Sequence, residues 1–241
     1  MRILVTNDDG ICAHGIVRLA KAAKKLGDVT VIAPEHECSA MSHHITLRRN
    51  MIMKRHDFPV EGVKAFCLDG TPADCIRASF LGLLKEEEKP DIVFAGVNNG
   101  ANCGFDILYS ATVGAAMEAV LYHIPAICFS QKSDGPEEVL EQYIDQIAAE
   151  LIQKRLPANQ IYNVNFPACP LQDFKGILYD RTPAQKAFFD DNYKPVKRED
   201  GSFEVVLEAG PVYEAEEGSD IKAVLDGYIS IGILENKILS A

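Results

Sequence analysis

Short apolar runs alternate with helix-patterned segments from the N-terminus to about residue 166, and few folds accept that order. "RILVTN" (2–7) reads as a short buried strand. "GIVRLAKAAKKLG" (15–27) has apolar residues at helical spacing and stops at Gly27. "DVTVIAP" (28–34) is a second strand, broken by Pro34, and residues 35–50 form a polar loop running into "HITL". "GVKAFCLDGTPADC" (62–75) is a strand and turn leading into the helix "ADCIRASFLGLLKEE" (73–87). "PDIVFAGVNNG" (90–100), "IPAICFS" (124–130) and "QIYNVNFP" (160–167) are further strands. Between them lie a helix rich in small residues, "SATVGAAMEAVLY" (110–122), and an amphipathic one, "EEVLEQYIDQIAAELIQKRL" (137–156). Such βαβ units predict an α/β fold: a Rossmann-like, three-layer α/β/α arrangement around a mostly parallel sheet.

The rest of the chain changes character. "GILYDRT", "GSFEVVLEAG" and "YISIGIL" are β-rich. Residues 184–218 are polar and carry the turn signals "EDGS" and "EEGSD". They read as a β-hairpin arm, followed by the short helix "DIKAVLDG" and a last strand returning to the body. The 241 residues suit one domain, 1–241, with that arm as its appendage.

"ILVTNDDG" (3–10) places two carboxylates side by side where the first strand ends. In open α/β sheets, ligands bind at the carboxyl ends of the strands. Neighbouring strand residues point to opposite faces, so Asp8 and Asp9 converge only if the strand has already ended, and Gly10 permits that turn. Two close carboxylates repel, and one tends to take a proton unless a cation intervenes. Hard oxygen ligands suit Mg²⁺ or Mn²⁺. The plainer alternative makes Asp9 a helix N-cap, which explains one aspartate and not its neighbour.

Other strand ends offer further polar atoms. "VIAPEHECSAMSHH" supplies Ser39, Ser42, His43 and His44, and "VFAGVNNGANCGFD" supplies Asn98, Asn99 and Asn102 among glycines. "YSATVGAA" opens a helix with Ser110 and Thr112, and a helix N-terminus is a ready phosphate site. Taken singly, the Asn/Gly cluster reads as a turn and Ser110 as an ordinary N-cap.

Composition excludes some partners. The net charge of −11 argues against a nucleic-acid polymer, which needs a basic face. No apolar run approaches the roughly 20 residues of a membrane helix. Seven scattered cysteines without a CxxC, and no apparent signal peptide, lead us to expect reduced, packed thiols in a cytoplasmic protein, with Cys38 and Cys103 set in the suspected site loops.

The blocks "ILVTNDDG", "AP…CSAMSHHITL", "DGTPADC", "PDIVFAGVNNGANCGFDILYSATVGAAMEA", "IPAICFS", "NVNFP" and "SDIKAVLDGYISI" resemble, in order, those of the SurE family of metal-dependent 5′-nucleotidases. The resemblance is weakest from about 171 to 217. It implies a phosphomonoesterase acting on nucleoside 5′-monophosphates, with 3′-monophosphates and short polyphosphate as further substrates to test. It implies one Mg²⁺ or Mn²⁺ per subunit, held by Asp8, Asp9, Ser39 and Asn98. It places the phosphate on Asn102 and on Ser110, Ala111 and Thr112. Its C-terminal arm implies a homodimer or homotetramer. Asp8 then orients or activates the nucleophile or attacks directly, Asn98, Ser110 and Thr112 stabilise developing charge, and His43 is a proton donor or a structural histidine. Ala111 stands where the family usually has Gly, Ala40 likewise, Cys38 where it has Gln or Asn, and Met117 where a basic residue is common. The competing reading, a Mg²⁺-binding phospho-receiver module, also has an acidic pair after its first strand. It needs an aspartate where this chain has Gly96-Val97-Asn98, and a lysine that "IPAICFS" lacks. A Rossmann-type nucleotide-binding transferase is disfavoured because the first helix lacks GxGxxG.

Overall fold

Six parallel strands form the centre of the molecule: β1 (Arg2–Thr6), β2 (Asp28–Pro34), β4 (Lys64–Leu68), β5 (Ile92–Asn99), β6 (Ala126–Gln131) and β7 (Gln160–Phe166). This computed structural model describes residues 1–239, apart from the side chains of Ala209 and Pro211. Along the sheet the order is β3-β4-β2-β1-β5-β6-β7-β11-β8, where β3 is Met53–Arg55, β8 is Gly176–Arg181 and β11 is Tyr228–Glu235. β3 runs antiparallel to β4 at one edge. β11 runs antiparallel to β7 at the other, with β8 parallel to β11.

Alternation along β1 explains the layers. Ile3 and Val5 point into one core, with Ile16 and Leu19 of α1 (His14–Lys24) and Ile144 and Ile147 of α4 (Glu138–Leu151). Leu4 points into the other, with Ile76 of α2 (Pro72–Ala78) and Val113, Ala116 and Val120 of α3 (Ala111–Leu121). Helices therefore cover both faces, as a parallel sheet requires.

Local chemistry sets the helix starts. Thr71 and Asp74 cap α2 reciprocally, at 3.1 and 2.9 Å, with Pro72 in the first turn. Ser110 caps α3 by accepting from the Val113 N–H at 3.1 Å. The helix expected over 73–87 is shorter. It ends at Ala78, passes through a wide turn at Ser79–Leu83, and leaves helical geometry at Gly82. Glycine is a poor helix former, and Leu81 and Leu83 are exposed, so no packing carries the helix further. The edge strand β3 lies beyond the loop expected over 35–50, in a stretch to which the sequence assigned no element; three residues are too few to show a period.

Beyond β8, β9 (Phe189–Lys197) and β10 (Phe203–Pro211) form a separate antiparallel two-stranded sheet. Its root is pinned to the body: the Phe188 N–H donates to Asp106 at 2.7 Å, and Asp220, in α5 (Asp220–Leu225), accepts from Gly104 and Ala184.

Candidate active site

β1 and β5 are neighbours, yet the chain builds outward from β1 to β2 and β4 before returning to β5 on its other side. The crevice beyond their carboxyl ends is the switch point at which such folds bind ligands. Asp8 and Asp9 follow β1, and Asn98 lies near the end of β5. Gly10, with φ +93°, turns the chain away immediately after the pair, and Asn7 closes that turn by donating to the Gly10 carbonyl at 2.9 Å.

The carboxylate of Asp8 lies under the surface. Thr112 at the start of α3 donates its hydroxyl to Asp8 Oδ1 and its backbone N–H to Oδ2, the latter at 3.2 Å. Burial pushes the Asp8 carboxyl up to about 6; the Thr112 hydroxyl pulls it back, and the charge of Asp9 pushes the same way as burial. Asp9 is less buried and accepts from the Asn99 N–H at 3.1 Å. Its carboxyl is also raised, by burial first and then by the charge of Glu37, against the pull of Asn99. No cationic side chain offsets Asp8 among the described residues.

Ser39 lies in the loop after β2, next to Cys38. The Cys38 N–H donates to the Asp8 carbonyl at 2.7 Å, which ties the loop to the aspartate pair. The Ser39 hydroxyl donates to Glu37 at 2.6 Å, leaving its lone pairs open. The Asn98 amide nitrogen donates to the Gly100 carbonyl at 2.8 Å, so its oxygen is the free end. Asp9, Asn98 and Asn99 line one wall of a cleft of about 230 Å³, with His14, Arg18 and Gln131. The oxygens facing this cleft thus come from the Asp9 carboxylate and the Asn98 and Asn99 side chains, with the Asp8 carboxylate buried behind them. No group of three or more His, Cys, Asp or Glu side chains able to hold a metal occurs among the described residues, so any cation here depends on the neutral oxygens of Ser39 and Asn98.

The remaining expected residues lie deeper. Ala111 and Thr112 have no exposed surface and Ser110 is nearly covered. Thr112 donates its hydroxyl to Asp8, whereas Ser110 accepts from the Val113 N–H as the cap of α3 and keeps its own O–H proton available to donate. Asn102 is also buried. Its side chain donates to Ser130 at 2.8 Å, its N–H to Asn165 at 2.8 Å, and its carbonyl accepts from Asn163 and Asn165. His43 sits apart, with its Nε2 2.8 Å from Glu118. Sequence reasoning passed over Asn7, Glu37, Glu118 and the Ser130–Asn163–Asn165 set. The last had a legible signal: polar side chains inside strands that otherwise read as fully buried. Cys38 and Cys103 are buried, and Cys12 is the exposed thiol of the seven. Burial pushes the Cys38 thiol up to about 11, helped by the charge of Asp8, so it is no reactive thiolate.

Known proteins share this fold and much of this sequence. A family model described as "Survival protein SurE" matches residues 3–188. The chain is 38% identical, over 96% of its length and 90% of the other, to a protein of Thermoanaerobacter sp. (strain X514) named 5′-nucleotidase SurE. It is 39% identical, over 96% of its length and 86% of the other, to one of the same name from Geobacter sulfurreducens. The crystal structure of the SurE protein from Aquifex aeolicus superposes with a TM-score of 0.82 at 34% identity, covering 98% of this chain and 93% of that one. An acidic pair at the β1/β5 switch point, on a sheet of this order and with relatives of this closeness, places the chain in the SurE family.

Proposed function

We propose that this chain hydrolyses nucleoside 5′-monophosphates to nucleoside and phosphate, with a divalent cation, Mg²⁺ or Mn²⁺, held by Asp8, Asp9, Ser39 and Asn98. The observation that carries this is the Asp8–Asp9 pair: two adjacent carboxylates at the switch point, both pushed upward by burial, with no cation of the chain to offset Asp8. The donor set fits the ion. Mg²⁺ is usually held by one or two carboxylates completed by other oxygens. Glu37 adds a further negative charge beside Asp9.

Once bound, the ion supplies charge neutralisation and polarisation at the phosphoryl oxygens. The residues of the chain do the rest. Thr112 holds both oxygens of Asp8, so the carboxylate keeps one orientation from which it positions and deprotonates the attacking water. Asn98 presents its amide oxygen to the cleft. The N-terminus of α3 directs its dipole toward the same end of the sheet, which favours a phosphate there. Asn102 holds its loop through Ser130, Asn163 and Asn165, keeping close to the phosphate the backbone that follows β5.

The arm is proposed to join subunits. Phe203, Val205 and Leu207 pair across the hairpin with Lys197, Pro195 and Tyr193, so an apolar stripe shares one face of a sheet that is exposed on both sides. The opposite face carries the ion pairs Lys194–Glu208 and Arg198–Glu204. A lone two-stranded hairpin is marginal in water, and an exposed apolar stripe marks an interface. A homodimer or homotetramer built through this stripe is the arrangement that covers it.

The deciding experiment is phosphate release from a panel of 5′- and 3′-mononucleotides and short polyphosphate, with Mg²⁺, with Mn²⁺, and after stripping with EDTA. Hydrolysis of 5′-mononucleotides that stops in EDTA and returns with metal is the expected result. Full activity without metal would sink the cation reading, and inert 5′-mononucleotides would sink the substrate.

A further inference from the structure

The loop between β2 and β3 must carry Ser39 to the ends of β1 and β5, and its path is strained. Ala40 (φ +55°) and Ser42 (φ +53°) both occupy the left-handed region without being glycine. Such residues persist where neighbours hold them in place. The Ser42 N–H donates to the Tyr109 carbonyl at 2.8 Å and its hydroxyl to the Leu108 carbonyl at 2.7 Å. At Gly114 of α3 the loop lies flat on the helix: a Cβ there would come within 2.5 Å of the Ser42 carbonyl oxygen and 3.0 Å of His43 Cα. One residue further along the loop, the ring of His43 meets Glu118 at 2.8 Å.

Glu118 is an unexpected residue to find there. It belongs to α3, two turns past Ser110, and its side chain is only 3% exposed. Tyr122 donates to its other oxygen at 3.1 Å, and Arg77 approaches the same oxygen at 3.4 Å. A carboxylate is seldom buried in this way unless its partners compensate it. The hydrolysis proposed above has no step for it. What Glu118 does hold is His43, and through His43 the loop that carries Ser39. The same helix also holds Asp8 through Thr112.

We propose that Glu118 is a positioning residue: acting through the ring of His43, it fixes the Ser39 loop against α3, so that Ser39 and Asp8 keep a constant separation. This rests on Ser39 being a metal ligand, as proposed above. His43 is then a clasp and not a proton donor.

The test measures Mn²⁺ binding by titration calorimetry and amide hydrogen exchange of residues 38–46 in the full chain. The variants are Glu118→Ala, Glu118→Gln, His43→Ala, the double Glu118→Ala/His43→Ala, and Tyr122→Phe. We expect Glu118→Ala and His43→Ala each to weaken Mn²⁺ about tenfold, as loss of a supporting contact behind a metal ligand typically does. Exchange in the loop should rise in both. The double variant should be no worse than either single, because one interaction is removed twice. Glu118→Gln keeps the size and an acceptor, and should recover part of the loss. Tyr122→Phe removes a contact to Glu118 that does not reach His43, so it should lower the melting temperature and leave Mn²⁺ affinity and loop exchange unchanged. If Glu118→Ala fails to fold, His43→Ala and Glu118→Gln carry the test. Mn²⁺ affinity within twofold of the parent in His43→Ala overturns the inference, as does equal loosening by Tyr122→Phe. If the unaltered chain binds no Mn²⁺, the metal reading itself falls and takes the inference with it, an outcome distinct from either.

Discussion

Asp8 and Thr112 meet twice although 104 residues separate them: the hydroxyl reaches one carboxylate oxygen and the backbone N–H the other. The end of β1 and the start of α3 are locked together at the point proposed for the chemistry. A charge-assisted hydrogen bond is worth about 1.5–3 kcal/mol. Thr112→Ala should therefore lower kcat and kcat/KM together, by roughly 10- to 100-fold. Steady-state kinetics on a nucleoside 5′-monophosphate beside a melting curve decide the matter. A lower melting temperature with both constants intact would make Thr112 a structural residue only.

Asp8 itself should oppose function to stability. Its carboxyl rises from 3.8 to about 6 on folding, chiefly through burial. A raised carboxyl favours the protonated fold, so this group supports the metal-free protein below pH 3.8 and withdraws that support as pH climbs to about 6. The loss is at most about 3 kcal/mol. Asp8→Asn cannot ionise. Metal-free Asp8→Asn should therefore melt above the parent at pH 7 and lose that advantage below pH 4, while hydrolysis disappears. Thermal scans from pH 3 to 8 check this convergence, and parallel curves across that range would refute it.

How much of this was readable in advance differs from layer to layer. The alternation of apolar runs with helical spacing carried the parallel sheet and its covering helices, because burial on both faces leaves that imprint on every strand. "NDDG" carried the aspartate pair, because adjacent carboxylates at a strand end are hard to explain structurally. What stayed hidden were contacts between distant segments. Nothing near Thr112 announces that its hydroxyl donates to Asp8, 104 residues away. Glu118 looked like one more polar residue on a helix, because its burial depends on His43 and Arg77, 75 and 41 residues away. The early end of α2 was also hidden, since Leu81 and Leu83 look like core residues and prove exposed.

Two alanines that stand where the family usually has glycine should respond oppositely to Gly. Ala111 has no exposed surface, so its methyl is packed away from the cleft. Ala111→Gly should cost about 0.5–1 kcal/mol of stability and leave kcat/KM within twofold. Ala40 is held at φ +55°, where a side chain is unfavourable by roughly 1–2 kcal/mol. Ala40→Gly relieves this, less the entropy a glycine loses on folding, and should raise the melting temperature by about 1–3 °C. Melting curves with kinetics on both variants test the pair. A gain in kcat/KM from Ala111→Gly would mean that the methyl crowds the substrate after all.

The arm supplies the last test. Its apolar stripe of Phe203, Val205, Leu207 and Tyr193 is more than half exposed at every one of these positions. Leaving four such side chains in water is unfavourable, and covering them with a second copy recovers about 25 cal/mol for each Å² removed from solvent. Val205→Lys and Leu207→Lys together place two charges in the stripe without touching the root at Phe188 and Asp106, so the body should fold as before. Light scattering should report a fall in mass to that of the single chain, about 26.5 kDa, with an unchanged circular dichroism spectrum. An undiminished mass would show that subunits join elsewhere, and a parent chain that is already monomeric would remove the arm's proposed role altogether.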